Sequence, residues 1–273
     1  MDIATVDDTV LEYEIRGSGE PVVLIHGAFI SDAFRPLLDE SSLVEHYEVI
    51  AYRRRGYGRS HRPTEPVTMA RQATDCRGLM GRLGIERAHV VGHSYGGAIA
   101  LQFARETPHA VHSLCLLEPA LMVGSSGSEY RASLQRGVQR YRKEGAAPVV
   151  EDMLRARWGE DPRATLERVL PGAFDRAVEE APVSFDFELP ALLDWDFDAA
   201  RLRDVDQPTL VVLGERSKDL SPRFVETYEI LLDRLPNAEG YVLPGAAHGL
   251  QTQNPSGMAN ALAHFFARHP IRH

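Results

Sequence analysis

The sequence predicts an α/β domain on a doubly wound, mostly parallel sheet interrupted by a helical insertion, and three observations carry that reading. Short apolar runs rich in β-branched residues recur without polar alternation, as strands buried on both faces do. Helical patterns separate them, so strand and helix alternate and right-handed crossovers follow. The alternation stops at Pro119 and resumes at Pro208, and the stretch between is broken by Gly and Pro into helical pieces.

Taken in order, Ile3 to Val6 and Thr9 to Ile15 flank Asp7-Asp8. Leu11, Tyr13 and Ile15 alternate with Glu12 and Glu14, which predicts an antiparallel opening hairpin. Buried strands are expected at Pro21 to Ile25, Tyr47 to Tyr52, His89 to Val91 and Ser113 to Leu117. Between the second and third, Met69, Ala73, Cys76, Met80 and Leu83 make one apolar helix face closed by Gly84. Between the third and fourth, a helix of small residues runs from Tyr95 to Glu106. The insertion contains helical patterns at Tyr130 to Lys143, Pro148 to Trp158, Pro162 to Leu170 and Phe174 to Glu180. The strand Pro208 to Gly214, a helix from Pro222 to Leu235, the strand Gly240 to Leu243 and a helix from Pro255 to Arg268 complete the chain. The expected organisation is a core domain of residues 1–119 and 205–273 with a cap of residues 120–204.

Composition bounds the function. The chain has 273 residues, 44% of them hydrophobic, and a net charge of −9. That length suits one globular domain with an insertion. The negative field repels phosphate backbones and anionic lipid surfaces, so neither nucleic acid nor membrane is an expected partner. Apolar runs such as Val22 to Ile25 fall far short of the ~18 residues of a membrane span. Met1 to Asp8 has no leader pattern, which predicts a cytoplasmic product. Cys76 and Cys115 lack any CxxC or Cys/His company and read as core residues. Monomer and homodimer stay equally open.

The chemistry-bearing motif is Gly92-His93-Ser94-Tyr95-Gly96, which follows a buried strand and opens a helix. That is the context of a G-x-S-x-G nucleophile elbow. A serine on so sharp a turn takes strained angles, and Gly92, Gly96 and Gly97 remove the Cβ atoms that would collide where strand and helix converge. The hydroxyl is thrust out at a helix N-terminus, where free N–H groups favour a developing oxyanion.

With that motif, the chain resembles the serine-nucleophile branch of the α/β-hydrolase superfamily along nearly its whole length. His26-Gly27-Ala28-Phe29 looks like the family's HG-x loop. The resemblance implies an oxyanion hole made by the amides of Ala28 and Tyr95, with Phe29 as second choice for the loop donor. Arg55-Gly56-Tyr57-Gly58-Arg59-Ser60 matches the RGxGxS turn and reads as structural, although Arg53 stands where an acidic residue is common. Among eleven histidines, His248 lies in the loop between last strand and last helix where the family places its base; the others, His93, His269 and His273 included, read as surface or packing.

The acid that orients the imidazole has two candidates. The common family position after Leu210 to Leu213 holds Ser217, with Asp219 two residues late. The alternative, Glu118, ends the strand that follows the nucleophile helix, where related dehalogenases can carry their acid. Glu118 is favoured, Asp219 stays open, and Glu215 is a third option. These roles imply acyl transfer through Ser94 with no cofactor and no metal. The expected substrate is a small apolar acyl or aryl ester, or a lactone, held by Phe29, Tyr95, Leu121, Trp158 and Trp195. A C–C bond hydrolase, a cofactor-free perhydrolase and a non-catalytic binding protein of the same fold are the alternatives.

Overall fold

The computed structural model describes residues 1–159 and 161–272, so Glu160 within the insertion and the terminal His273 lie outside the described residues. Its frame is one eight-stranded sheet in the order β1-β2-β4-β3-β5-β6-β7-β8. The strands are β1 (Asp2–Val6), β2 (Thr9–Arg16), β3 (Glu20–Ile25), β4 (Tyr47–Arg53), β5 (Ala88–His93), β6 (Val111–Leu117), β7 (Thr209–Gly214) and β8 (Ala238–Leu243). The opening hairpin pairs β1 with β2 antiparallel, and β2 meets β4 antiparallel; every later pairing is parallel.

The helices are α1 (Ser41–Val44), α2 (Met69–Arg82), α3 (Tyr95–Glu106), α4 (Gly127–Glu144), α5 (Ala146–Trp158), α6 (Pro162–Val169), α7 (Ala173–Pro182), α8 (Leu189–Leu193), α9 (Pro222–Arg234), α10 (Leu250–Gln253) and α11 (Pro255–Arg268). Successive side chains of the central strands part to opposite faces, the period-2 geometry of a strand. Leu114 and Leu116 pack with α2 and α3, whereas Cys115 and Leu117 pack with α1 and α11. Both faces are covered, which is why these strands read as unbroken apolar runs.

Helices α4 to α8 lie between β6 and β7 and share one apolar cluster with the α2–α3 face of the sheet. Two parts of the chain depart from the sequence pattern, the first of them in this insertion. The sequence pattern predicts a helix that stops at Glu180, but the chain continues through a π-helical segment, Val183–Glu188, into α8. A π-turn shifts the 3.6-residue period, so an apolar stripe counted along the sequence loses phase there. The second is the stretch after β3, where a 3-10 turn (Arg35–Asp39) and the four-residue α1 are too short to show any period.

Candidate active site

The site starts at a backbone under strain. Ser94 joins β5 to α3 with φ 53° and ψ −117°, a region costly for a residue bearing a Cβ. The surroundings enforce it: the Ser94 amide donates to Leu117 O at 3.0 Å, and its carbonyl accepts from the Ala120 amide at 2.8 Å. Close approach makes the neighbouring glycines necessary. A Cβ on Gly97 would stand 2.6 Å from Pro119 Cβ, one on Gly92 2.5 Å from Gly96 O, and one on Gly96 would collide with the carbonyl of Ile25.

The loop after β8 brings His248 to this turn, with its Nε2 3.0 Å from Ser94 Oγ and its Nδ1 2.7 Å from Glu118 Oε2. A carboxylate accepts, so Nδ1 carries the proton and Nε2 is left to take one from the hydroxyl. Behind His248, His93 Nε2 donates to His248 O at 2.8 Å and His93 Nδ1 accepts from Gln251 Nε2 at 3.1 Å. Burial pushes the His93 pKa down to about 3, which keeps that ring neutral in the tautomer this bonding needs. The insertion reaches His248 as well, because the His248 amide donates to Arg157 O at 3.3 Å. Rings of Phe224 and Trp158 stand 4.9 Å and 5.9 Å from the imidazole.

Electrostatics follow from this enclosure. Burial, reinforced by the charges of Arg223 and Arg157, holds the His248 pKa well below the ordinary histidine value. Glu118 directly follows β6 with only 1% of its side chain exposed, and burial raises its pKa to about 7 despite the Gly214 amide, which donates to Oε1 at 2.8 Å. Asp219 is placed elsewhere: it is exposed in the 3-10 turn Ser217–Asp219, its amide bonded to Arg216 O at 3.1 Å. Glu215 is exposed and accepts from the Gly245 amide at 2.8 Å.

Of the three amides considered for an oxyanion, that of Phe29 is occupied, donating to Ser184 Oγ at 3.3 Å. Neither the Ala28 nor the Tyr95 amide donates to another described residue; Tyr95 opens α3, where no intrahelical acceptor exists. Both residues border the cavity that holds Ser94 and His248.

That cavity is about 30 Å³ in volume, and Phe29, Tyr95, Leu134, Trp158, Leu189 and Leu192 supply much of its wall. Phe29, Tyr95 and Trp158 thus stand where the sequence reading put them, but two other expected lining residues do not. Leu121 is 1% exposed and packs in the main apolar core, since the chain leaving β6 turns it inward. Trp195 stacks on Phe197 at 4.5 Å and donates its indole N–H to Gln102 Oε1 at 3.0 Å; that polar handle draws it to the end of α3. Sequence reasoning missed Tyr130, Met153 and Arg157, which also border the cavity. An arginine next to Arg155 on a charged helix looks like a solvated face, and only the neighbouring Trp158 hinted otherwise. Among the described residues no group of three His, Cys, Asp or Glu side chains is placed to hold a metal ion.

An eight-stranded, mostly parallel sheet with a serine on the tight turn after its central strand is the α/β-hydrolase architecture. The model of the alpha/beta hydrolase family matches residues 22–261, and the chain belongs to that family. It is 27% identical over 268 residues to the 2-hydroxy-6-oxo-6-(2'-aminophenyl)hexa-2,4-dienoic acid hydrolase of Metapseudomonas resinovorans, covering 94% of this chain and 87% of the relative. Two solved structures share the fold at a TM-score of 0.84. The thermophilic esterase from Thermogutta terrifontis is 23% identical, with 98% of this chain and 99% of that one covered. The enol-lactonase from Burkholderia xenovorans is 22% identical, with 97% and 100% covered.

Proposed function

We propose that this chain is a serine hydrolase of small carboxylic esters or lactones, with Ser94 as nucleophile, His248 as general base and Glu118 as the orienting acid. The observation that carries the reading is the unbroken relay from Glu118 Oε2 through both ring nitrogens of His248 to Ser94 Oγ, at 2.7 and 3.0 Å. His248 takes the hydroxyl proton as Ser94 attacks the carbonyl, and the Ala28 and Tyr95 amides receive the charge that develops on oxygen. The imidazolium then protonates the leaving alcohol, and a water activated by the same ring hydrolyses the acyl-enzyme. Residues 120–204 act as a cap that bounds the acyl and alcohol pockets.

A second reading, cleavage of a C–C bond beside a ketone, is favoured by the dienoic acid hydrolase relative. The same serine and histidine serve it, and a panel of p-nitrophenyl esters, lactones and vinylogous 1,5-diketones separates the two. The test of the common core is labelling by a fluorophosphonate probe together with ester turnover. Wild type labels and turns over; Ser94→Ala does neither, with kcat lower by on the order of 10⁶. Wild-type protein that neither labels nor turns over any member of the panel overturns the reading in favour of a binding protein.

A further inference from the structure

Beside the Ser94 cavity runs a second, open cleft of about 490 Å³ between α4, α5 and the start of α9, and the two share Tyr130 and Arg157 in their walls. Its floor contains Arg223, which is 8% exposed. The guanidinium stands 4.0 Å from the Tyr130 ring centroid and 4.1 Å from that of Phe224. Its N–H groups meet no carboxylate, carbonyl or hydroxyl among the described residues. Arg157, on the shared wall, donates one N–H to Met153 O at 2.7 Å and forms no ion pair among the described residues. Glu129 also borders the cleft, but it is paired with Arg136 at 2.6 Å.

A guanidinium only 8% exposed, with no acceptor from the protein, is poorly solvated, and two aromatic faces offset only part of that loss. The same faces fix the plane of the fork, so its donors are pre-set for a planar acceptor arriving from the cleft. The Ser94 cavity, at about 30 Å³, encloses the reacting atoms and little more; a longer substrate would have to pass Tyr130 and Arg157, the two residues that both cavities share, to reach the cleft. The net charge of −9 disfavours multiply anionic ligands overall.

We infer that the cleft is a subsite for a carboxylate, and that the preferred substrate is an ester carrying one such group several atoms from the scissile carbonyl, held by Arg223 with Arg157 in support. This deepens the proposed hydrolase function and rests on it.

The test compares charged and neutral esters of equal shape: 4-acetoxybenzoate against its methyl ester, and mono-p-nitrophenyl adipate against p-nitrophenyl hexanoate. Taking the ratio of kcat/KM within a pair removes any effect of Arg223 on His248. Wild type is expected to favour the charged member of at least one pair by about tenfold, with the preference abolished in Arg223→Gln, reduced in Arg157→Gln and partly restored in Arg223→Lys. A wild-type ratio at or below one in both pairs, or a ratio unchanged in Arg223→Gln, overturns the subsite; so does a preference for 4-acetoxyphenyl phosphate over 4-acetoxybenzoate. Calorimetric binding of benzoate, weakened about tenfold in Arg223→Gln, reads the site without turnover. If every ester is inert while benzoate binding depends on Arg223, the hydrolase reading fails and the anion site stands; unchanged benzoate binding overturns the site.

Discussion

Glu188, at the end of the π-helical segment, is buried against Arg54 of the core, and the two side chains are 2% and 1% exposed. The pair joins the insertion to the loop that carries Ala28, because Arg54 also donates to His26 O at 3.0 Å and Gly27 O at 2.9 Å. Tyr57 completes the cluster by donating to Glu188 Oε2 at 2.7 Å. Removing one partner leaves an uncompensated buried charge, so Glu188→Gln is expected to cost about 3–5 kcal/mol of stability. Replacing both with apolar residues, Arg54→Met with Glu188→Leu, should cost far less than the sum of the single changes. Urea denaturation of wild type, Arg54→Met, Glu188→Leu and the double variant measures the coupling; additive losses would show that the pair does not join the two parts.

Glu118 and Asp219 make opposite kinetic predictions from one geometry. Glu118 Oε2 touches His248 Nδ1 at 2.7 Å, whereas Asp219 is exposed in its own turn. Glu118→Gln allows the amide N–H₂ to face Nδ1 and stabilises the wrong tautomer, which is expected to lower kcat by about 10⁴. Asp219→Asn should stay within a few-fold. Ester turnover of both variants decides, and the reverse ranking would move the acid to Asp219.

What could be read along the chain was what repeats or what sterics force. The glycines around Ser94 are legible because no other residue fits where a Cβ would meet backbone, and the central strands because both of their faces are covered. The turn Arg55 to Ser60 reads as structural, and Arg55 pairs with Asp75 through Nε at 2.5 Å. Arg54, one residue earlier, gave no such sign: its partner Glu188 lies 134 residues away in a segment whose period slips. Trp158 and Trp195 are alike in sequence, yet one borders the cavity and the other answers Gln102. Tertiary partners separate them, and neither local pattern nor composition encodes those partners.

The pH profile should respond to a cation that touches neither Ser94 nor His248 in hydrogen bonding. After burial, Arg223 contributes most to holding the His248 pKa down, and its charge also opposes the rise at Glu118. A nearby positive charge disfavours proton uptake by either group, so its removal raises the proton affinity of the pair as a unit. In Arg223→Gln the acid limb of kcat/KM for a neutral ester is therefore expected to move to higher pH, with activity lost earlier on acidification. Arg157→Gln should shift it the same way by less. A limb that stays in place, or moves down, contradicts this account of the field at His248.

Away from the site, His89 should make the fold sensitive to acid. Its ring is fully buried, stacked on Phe266 at 4.3 Å, with Nδ1 2.7 Å from Ser113 Oγ. Burial lowers its pKa from 6.5 to about 4, against the raising effect of Glu20. Below pH 6.5 the unfolded chain binds a proton here that the folded chain refuses, so the contribution of this site is intact above 6.5 and is lost as pH falls toward 4. The loss amounts to roughly 3 kcal/mol across that window. His89→Gln cannot titrate, so the difference in unfolding free energy between wild type and variant should narrow on acidification from pH 7 to pH 4. A difference that stays constant over those pH values would mean that His89 takes up its proton as readily in the folded protein as in the unfolded chain, the Glu20 carboxylate 3.1 Å from Nε2 having offset burial.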